Sequence, residues 1–182
     1  PDDEAFRAYL TQQGYASISD IPSRELEKLV GFHILYYAFN KEKLINFRPI
    51  EGDDCSDEEK AINAGLYYKF RTHSQDDTTV EYDVDGDRMV SVYHFERYIP
   101  VFSYKYFSTK KIDAQSNYEY FFPDTEWKGA TGFNVSNGAI NDYELIANNG
   151  YVYTTDKVLT PLETIYEELK NHTEFSQFLK MY

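Results

Sequence analysis

At 182 residues the chain suits one domain of ordinary size, able to bury roughly 70% of the surface its unfolded form exposes without covalent staples. Its 31 acidic residues against 18 basic ones give a net charge of −13, a field that repels phosphate backbones and anionic lipid surfaces and so argues against nucleic-acid and membrane partners. No stretch approaches the roughly 20 apolar residues that cross a bilayer, and with one cysteine, Cys55, there is no internal disulfide.

The first ten residues read as a turn entering a helix, with Asp3 and Glu4 at its positive end. A second helix is predicted from Pro22 to about Tyr37. Asp20 can cap it, and Leu26, Leu29, Val30, His33 and Ile34 share one stripe. Ser56 and Glu59 form a capping box for a third helix running towards Phe70. The period then changes: Val80, Tyr82 and Val84 alternate, Asp85–Gly86 supplies a tight turn, and Met89 to Phe95 returns as a strand. Residues 98–128 follow no clear period. Short strands broken at Asn137–Gly138 and Asn149–Gly150 fill the stretch from Gly132 to Leu159. Thr160, Pro161 and Glu163 open a further helix, and Thr173 caps a last one over Glu174 to Met181. Early helices, later strands and no alternating strand–helix unit indicate an α+β class with mostly antiparallel pairing.

Few residues suggest chemistry. Asp83, Asp85 and Asp87 surround Gly86, but a calcium-binding EF-hand loop needs glycine at its sixth position and an acid at its twelfth; here glycine is fourth and His94 is twelfth, so a hairpin turn is the better reading. Cys55 lies among Asp53, Asp54, Asp57 and Glu58, whose charge opposes thiolate formation. The histidines show no metal-ligand spacing, and there is no nucleophile elbow or phosphate loop. No catalytic residue, metal or cofactor is therefore assigned. His33, within an apolar run, is expected to be buried and to hold helix to sheet through hydrogen bonds. The sequons at Asn134 and Asn171 matter only in a eukaryotic source, and Asn134 abuts a predicted strand, where a glycan fits poorly. Between Val92 and Trp127, 12 of 36 residues are aromatic, against 18% overall, so this segment must be buried or bind something. Phe102, Phe107, Phe121 and Phe122 read as core, whereas Tyr104, Tyr106, Tyr118, Tyr120 and Trp127 are equally suited to packing and to a stacking surface for sugar rings.

The stretch from Asn149 and Gly150 through Asp156, Val158 and Leu159 to Pro161 resembles the second signature block of fasciclin domains, Asn-Gly, four residues, then Ile-Asp-x-Val-Leu-x-Pro. Val135 to Ile140, including Asn137, is similar to the family's Val-Asn-x-Ala-x-Ile strand, and Glu144–Leu145 to the Asp-Ile after it. Phe32–His33 stands where the family has Tyr-His, and Pro1 to Phe6 resembles the tail of the first block. The departures are Phe32 for tyrosine, Ser136 for asparagine, Gly138 for alanine and Thr155 for an aliphatic residue. The resemblance is silent on residues 41–128, read as a long aromatic-rich insertion.

By this resemblance the fold is a wedge-shaped β-sandwich with flanking helices. Residues 1–165 would be one fasciclin-like domain lacking its N-terminal strand and helix; residues 166–182 would be a linker helix and the start of a following repeat. The resemblance implies a non-enzymatic adhesion domain, extracellular or on a cell envelope, of a bacterial lipoprotein branch, whose partner is a surface protein or a glycan. The alternative is a glycan-binding accessory module of an envelope polysaccharide-capture system. Self-association or tandem repetition through the termini is expected. Phe175, Phe178 and Leu179, on one stripe, would pack on this domain's surface or on a neighbouring chain.

Overall fold

The computed structural model describes residues 1–45, 68–83, 89–129, 132–162, 169 and 172–181. Helix α1 spans Asp3–Gln13: the Asp2 carboxylate accepts from the Ala5 N–H at 2.8 Å, and Gly14, at φ 77, ends it in the left-handed conformation that a side chain resists. Asp20 does not cap α2 as the sequence suggests. Its carboxylate reaches back to the Ser17 N–H at 2.8 Å and closes a 3-10 turn, Ile18–Asp20, so α2 begins only after Pro22 and covers Ser23–Phe32.

Helix α2 also stops short of the predicted Tyr37. The chain after it turns along strand β1 (Tyr68–Asp83), where the His73 N–H donates to the Ile34 carbonyl, the Tyr36 N–H donates to the Arg71 carbonyl, and Leu35 bridges Thr72. Pairing with a strand satisfies the same backbone groups that another helical turn would have used. A short helix α3, Lys41–Ile45, follows. The predicted third helix lies outside the described residues except for its end, and there Tyr68–Phe70 is strand, not helix.

Strands β1, β2 (Met89–Ser103), β3 (Phe133–Val135), β4 (Gly138–Ala147) and β5 (Gly150–Thr155) form one antiparallel sheet in chain order. The expected hairpin is present, with Asp83 opposite Met89; Asp85 and Gly86 of its turn, and Cys55, lie outside the described residues. Between β2 and β3 run α4 (Tyr104–Lys110) and α5 (Ala114–Phe121), the latter capped by Asp113. Together the described residues make an α+β fold with antiparallel pairing in a single sheet. The segment 41–128 belongs to this sheet: it supplies the edge strand β1 and its neighbour β2, which joins them to β3.

Alternation along the strands sends side chains to two hydrophobic cores. On one side, Ile99 and Val101 of β2, Phe133 and Val135 of β3 and Phe70 of β1 meet Phe32, Leu44 and Leu159. Phe102, one residue on from Val101, joins Phe107, Tyr118 and Phe122 beneath α4 and α5. The Asn–Gly turns fall one residue earlier than the sequence suggests. Ser136, not a glycine, takes the positive φ of 48, and Gly138 opens β4 because a Cβ there would come within 2.6 Å of the Leu159 side chain.

The C-terminal turn Thr173–Phe175 and helix α6, Ser176–Leu179, leave Phe175 46% and Phe178 54% exposed, with Leu179 half-buried. Most of the helix predicted from Thr160 lies outside the described residues.

Helix α2 approaches β1 so closely at Gly31 that a Cβ there would sit 2.9 Å from the Ser74 backbone nitrogen. Backbone cannot swing aside as a side-chain tip can. Gly31→Ala is expected to cost about 1–3 kcal/mol in urea unfolding, the usual range for overpacking, and an unchanged midpoint would show that the two elements separate freely.

Candidate functional site

Three of the stretches that carry the resemblance, Phe32–His33, Val135–Ile140 and Asp156–Pro161, meet at one place. After β5 the chain leaves the sheet over Asp156–Thr160, tied in place by its own Asp156 and by side chains from elsewhere. The Ala139 N–H donates to Asp156 Oδ1 at 2.6 Å. Asn137 works at both ends of its amide, donating from Nδ2 to the Val158 carbonyl at 3.1 Å and accepting at Oδ1 from the Thr160 N–H at 3.1 Å. His33 Nε2 accepts from the Leu159 N–H at 3.0 Å while Nδ1 donates to the Leu29 carbonyl at 2.8 Å. These bonds make the imidazole neutral, with its proton on Nδ1. Phe32, Val158 and Leu159 are buried, whereas Asn149 is exposed at the β4–β5 turn, Gly150 begins β5, and Pro161 is half-buried.

Helical geometry scatters the aromatic residues singled out as a stacking surface. On a helix, residues two apart point in nearly opposite directions. Tyr118 is fully buried under the sheet; its hydroxyl donates to the Ser136 carbonyl at 3.0 Å, and burial pushes its pKa up to about 12. Tyr120, on the other side of α5, is 81% exposed. Trp127 is half-buried, its ring 5.5 Å from Tyr118 and edge-on to Phe107 at 5.9 Å. Tyr104 is exposed at the start of α4, and Tyr106 lies in the same helix. Tyr118 and Trp127 are thus core partners, and they share no surface with Tyr120. Asn134, of the first sequon, is buried too, its amide holding the Glu126 carbonyl and the Lys128 N–H.

A cleft of about 610 Å³ opens beside the motif residues. One wall is α1, through Ala5, Ala8, Tyr9, Gln12 and Gln13; the other is the loop Phe121–Thr125 with the Asp156–Thr160 segment. Lys157 spans its base, donating from Nζ to the Asp124 carbonyl and to Thr125 Oγ1. Tyr120 stands edge-on to Phe121 at 5.3 Å, just outside the lining. The α1 wall escaped sequence reading because Tyr9, Gln12 and Gln13 carry no motif. Their spacing on one helical stripe was the available signal.

A second polar knot ties α3 to the sheet. Glu144 Oε2 accepts from the Lys41 N–H at 2.5 Å and from the Tyr153 hydroxyl at 2.7 Å. Burial first, and then this bond, raise the Tyr153 pKa. Among the described residues no group of three or more His, Cys, Asp and Glu side chains could hold a metal, and no helix is long and apolar enough to cross a membrane. No family model, curated protein or solved structure matches the chain.

Burial holds the His33 pKa below its ordinary 6.5, an effect that the Leu29 bond only partly opposes. Between those two values the unfolded state binds the extra proton and the folded state does not, so this contribution to stability is present above pH 6.5 and is lost as pH falls towards the folded pKa. Melting temperatures at pH 7.5 and 5.5 are expected to fall further for the natural protein than for His33→Gln. The variant is also expected to lose about 1–3 kcal/mol at neutral pH from the unpaired Leu159 N–H. Equal pH slopes for the two proteins would refute the linkage.

Proposed function

We propose that the chain is a non-enzymatic interaction domain of fasciclin type, working at an extracellular or cell-envelope surface and binding a surface protein. What carries this reading is how the motif side chains are used. His33, Asn137 and Asp156 each hold backbone across the segments Phe32–His33, Val135–Ile140 and Asp156–Pro161, the three that resemble the family's blocks. Groups committed to backbone amides and carbonyls maintain a scaffold; they are not free to exchange protons with a substrate. The reading takes the antiparallel sheet as one layer of the wedge-shaped sandwich, and takes tandem neighbours and lipid anchorage as its setting.

A second reading, the glycan-binding accessory module, draws support from the cleft, where Tyr9 and Phe121 line opposite walls beside carboxamide and carboxylate groups. Aromatic faces with a few convergent polar groups are the usual composition of a small-ligand site.

Beads coated with the purified domain are expected to adhere to cells or to polysaccharide films, with no turnover of ester, glycoside or phosphate substrates. The non-enzymatic reading is sunk by turnover that scales with protein and vanishes in Asp124→Asn. Beads that adhere no better than uncoated ones would sink the interaction reading itself.

A further inference from the structure

We infer that the cleft between α1 and the Phe121–Thr125 loop is a saccharide subsite that takes part of a neutral oligosaccharide; this rests on the glycan-binding reading of the domain. The first support is the α1 face itself. Ala5, Ala8, Tyr9, Gln12 and Gln13 fall at i, i+3, i+4, i+7 and i+8, so one continuous helical stripe lines the cleft. Such a stripe normally carries large apolar residues against a core, or as anchors for a docked peptide. Here it carries two alanines, one tyrosine and two carboxamides, and Ala8, Gln12 and Gln13 are exposed.

Those groups match sugar chemistry. A carboxamide donates and accepts at once, as a sugar hydroxyl does, so Gln12 and Gln13 can pair with hydroxyls in either sense. Tyr9 and the part-exposed Phe121 both line the cleft, and an aromatic ring is the usual partner of the apolar C–H face of a pyranose. The volume of about 610 Å³ lies within the ~300–1,000 Å³ usual for small-ligand sites.

Charge selects among sugars. Asp124 and Asp156 line the cleft within a chain of net charge −13, and both disfavour uronates, sulfated sugars and phosphates. Lys157, whose ammonium donates to the Asp124 carbonyl and to Thr125 Oγ1, offsets one of these two carboxylates, and the lining keeps a net negative charge. The base of the cleft is held in place without a ligand. Asn137, Asp156 and Lys157 are all hydrogen-bonded to backbone, so binding orders little that is not already ordered.

The test titrates the whole chain by calorimetry with cellohexaose, xylohexaose, maltohexaose and chitohexaose, with oligogalacturonate as the anionic control. Ala8→Trp fills the cleft from an exposed position, and Gln12→Ala removes one carboxamide without touching a core. Val152→Thr, on exposed β5, serves as the distant control. At least one neutral sugar is expected to bind, oligogalacturonate to bind at least tenfold more weakly, Ala8→Trp to weaken binding at least tenfold and Gln12→Ala several-fold, with Val152→Thr unchanged. If a sugar binds all variants equally, the cleft assignment fails while the glycan-binding reading stands. If none of the four neutral sugars binds, both fail. A self-association that Ala8→Trp abolishes, with no sugar bound, would make the cleft a protein site and overturn the proposal.

Discussion

The segment Asp156–Thr160 buries Val158 and Leu159 without belonging to a strand, and buried backbone must find hydrogen-bond partners. Side chains supply them. Asp156 meets Ala139, Asn137 meets both Val158 and Thr160, His33 meets Leu159, the Thr155 hydroxyl donates to Lys157, and the Ser136 hydroxyl to Thr160. These contacts bring the end of α2, the β3–β4 turn and the exit from β5 to one point. Val158 and Leu159 are buried there, and Leu159 completes the core that Phe32, Phe133 and Ile140 share. Losing one partner leaves a buried amide or carbonyl unpaired and also loosens the apolar side chain beside it.

Strand β2 imposes the second constraint. Ile99 and Val101 serve one core and Phe102 the other, so the sheet must be covered on both faces. Helix α2 and the chain after it cover the first face; α4 and α5 cover the second. This accounts for five of the twelve aromatic residues between Val92 and Trp127. Rings at Phe102, Phe107, Tyr118, Phe122 and Trp127 interlock at 5.0–6.1 Å, three of the six pairs edge to face, and fill a layer that two short helices of small residues could not.

The cleft follows from the same construction. Where α5 ends at Phe121 and the chain turns through Pro123, α1 stands opposite, presenting alanines and carboxamides instead of a greasy stripe. Ala5 is buried at one end of that face, while Ala8, Gln12 and Gln13 stay exposed along it.

Local chemistry was readable wherever a short pattern decides a short structure. The acidic start of α1, the β1–β2 hairpin, the strand breaks near Asn137 and Asn149 and the bonding role of His33 follow from capping, alternation and turn preferences that act within a few residues. The end of α2 was not readable, because Ile34–Tyr36 keep the helical spacing and leave the helix only to pair with a strand more than thirty residues away. Nor was the position of positive φ, which went to Ser136 because Gly138 was needed where Leu159 leaves no room for a Cβ. Tyr118 and Tyr120 look alike in the sequence, and only their helical backbone sends one into the core and the other into water. The cleft lay furthest from view, since its two walls come from residues 5–13 and 121–160 and meet only in the folded chain. Local sequence governs which groups a residue can satisfy nearby; contacts between distant segments decide which of those groups are spent on the fold and which stay open to a ligand.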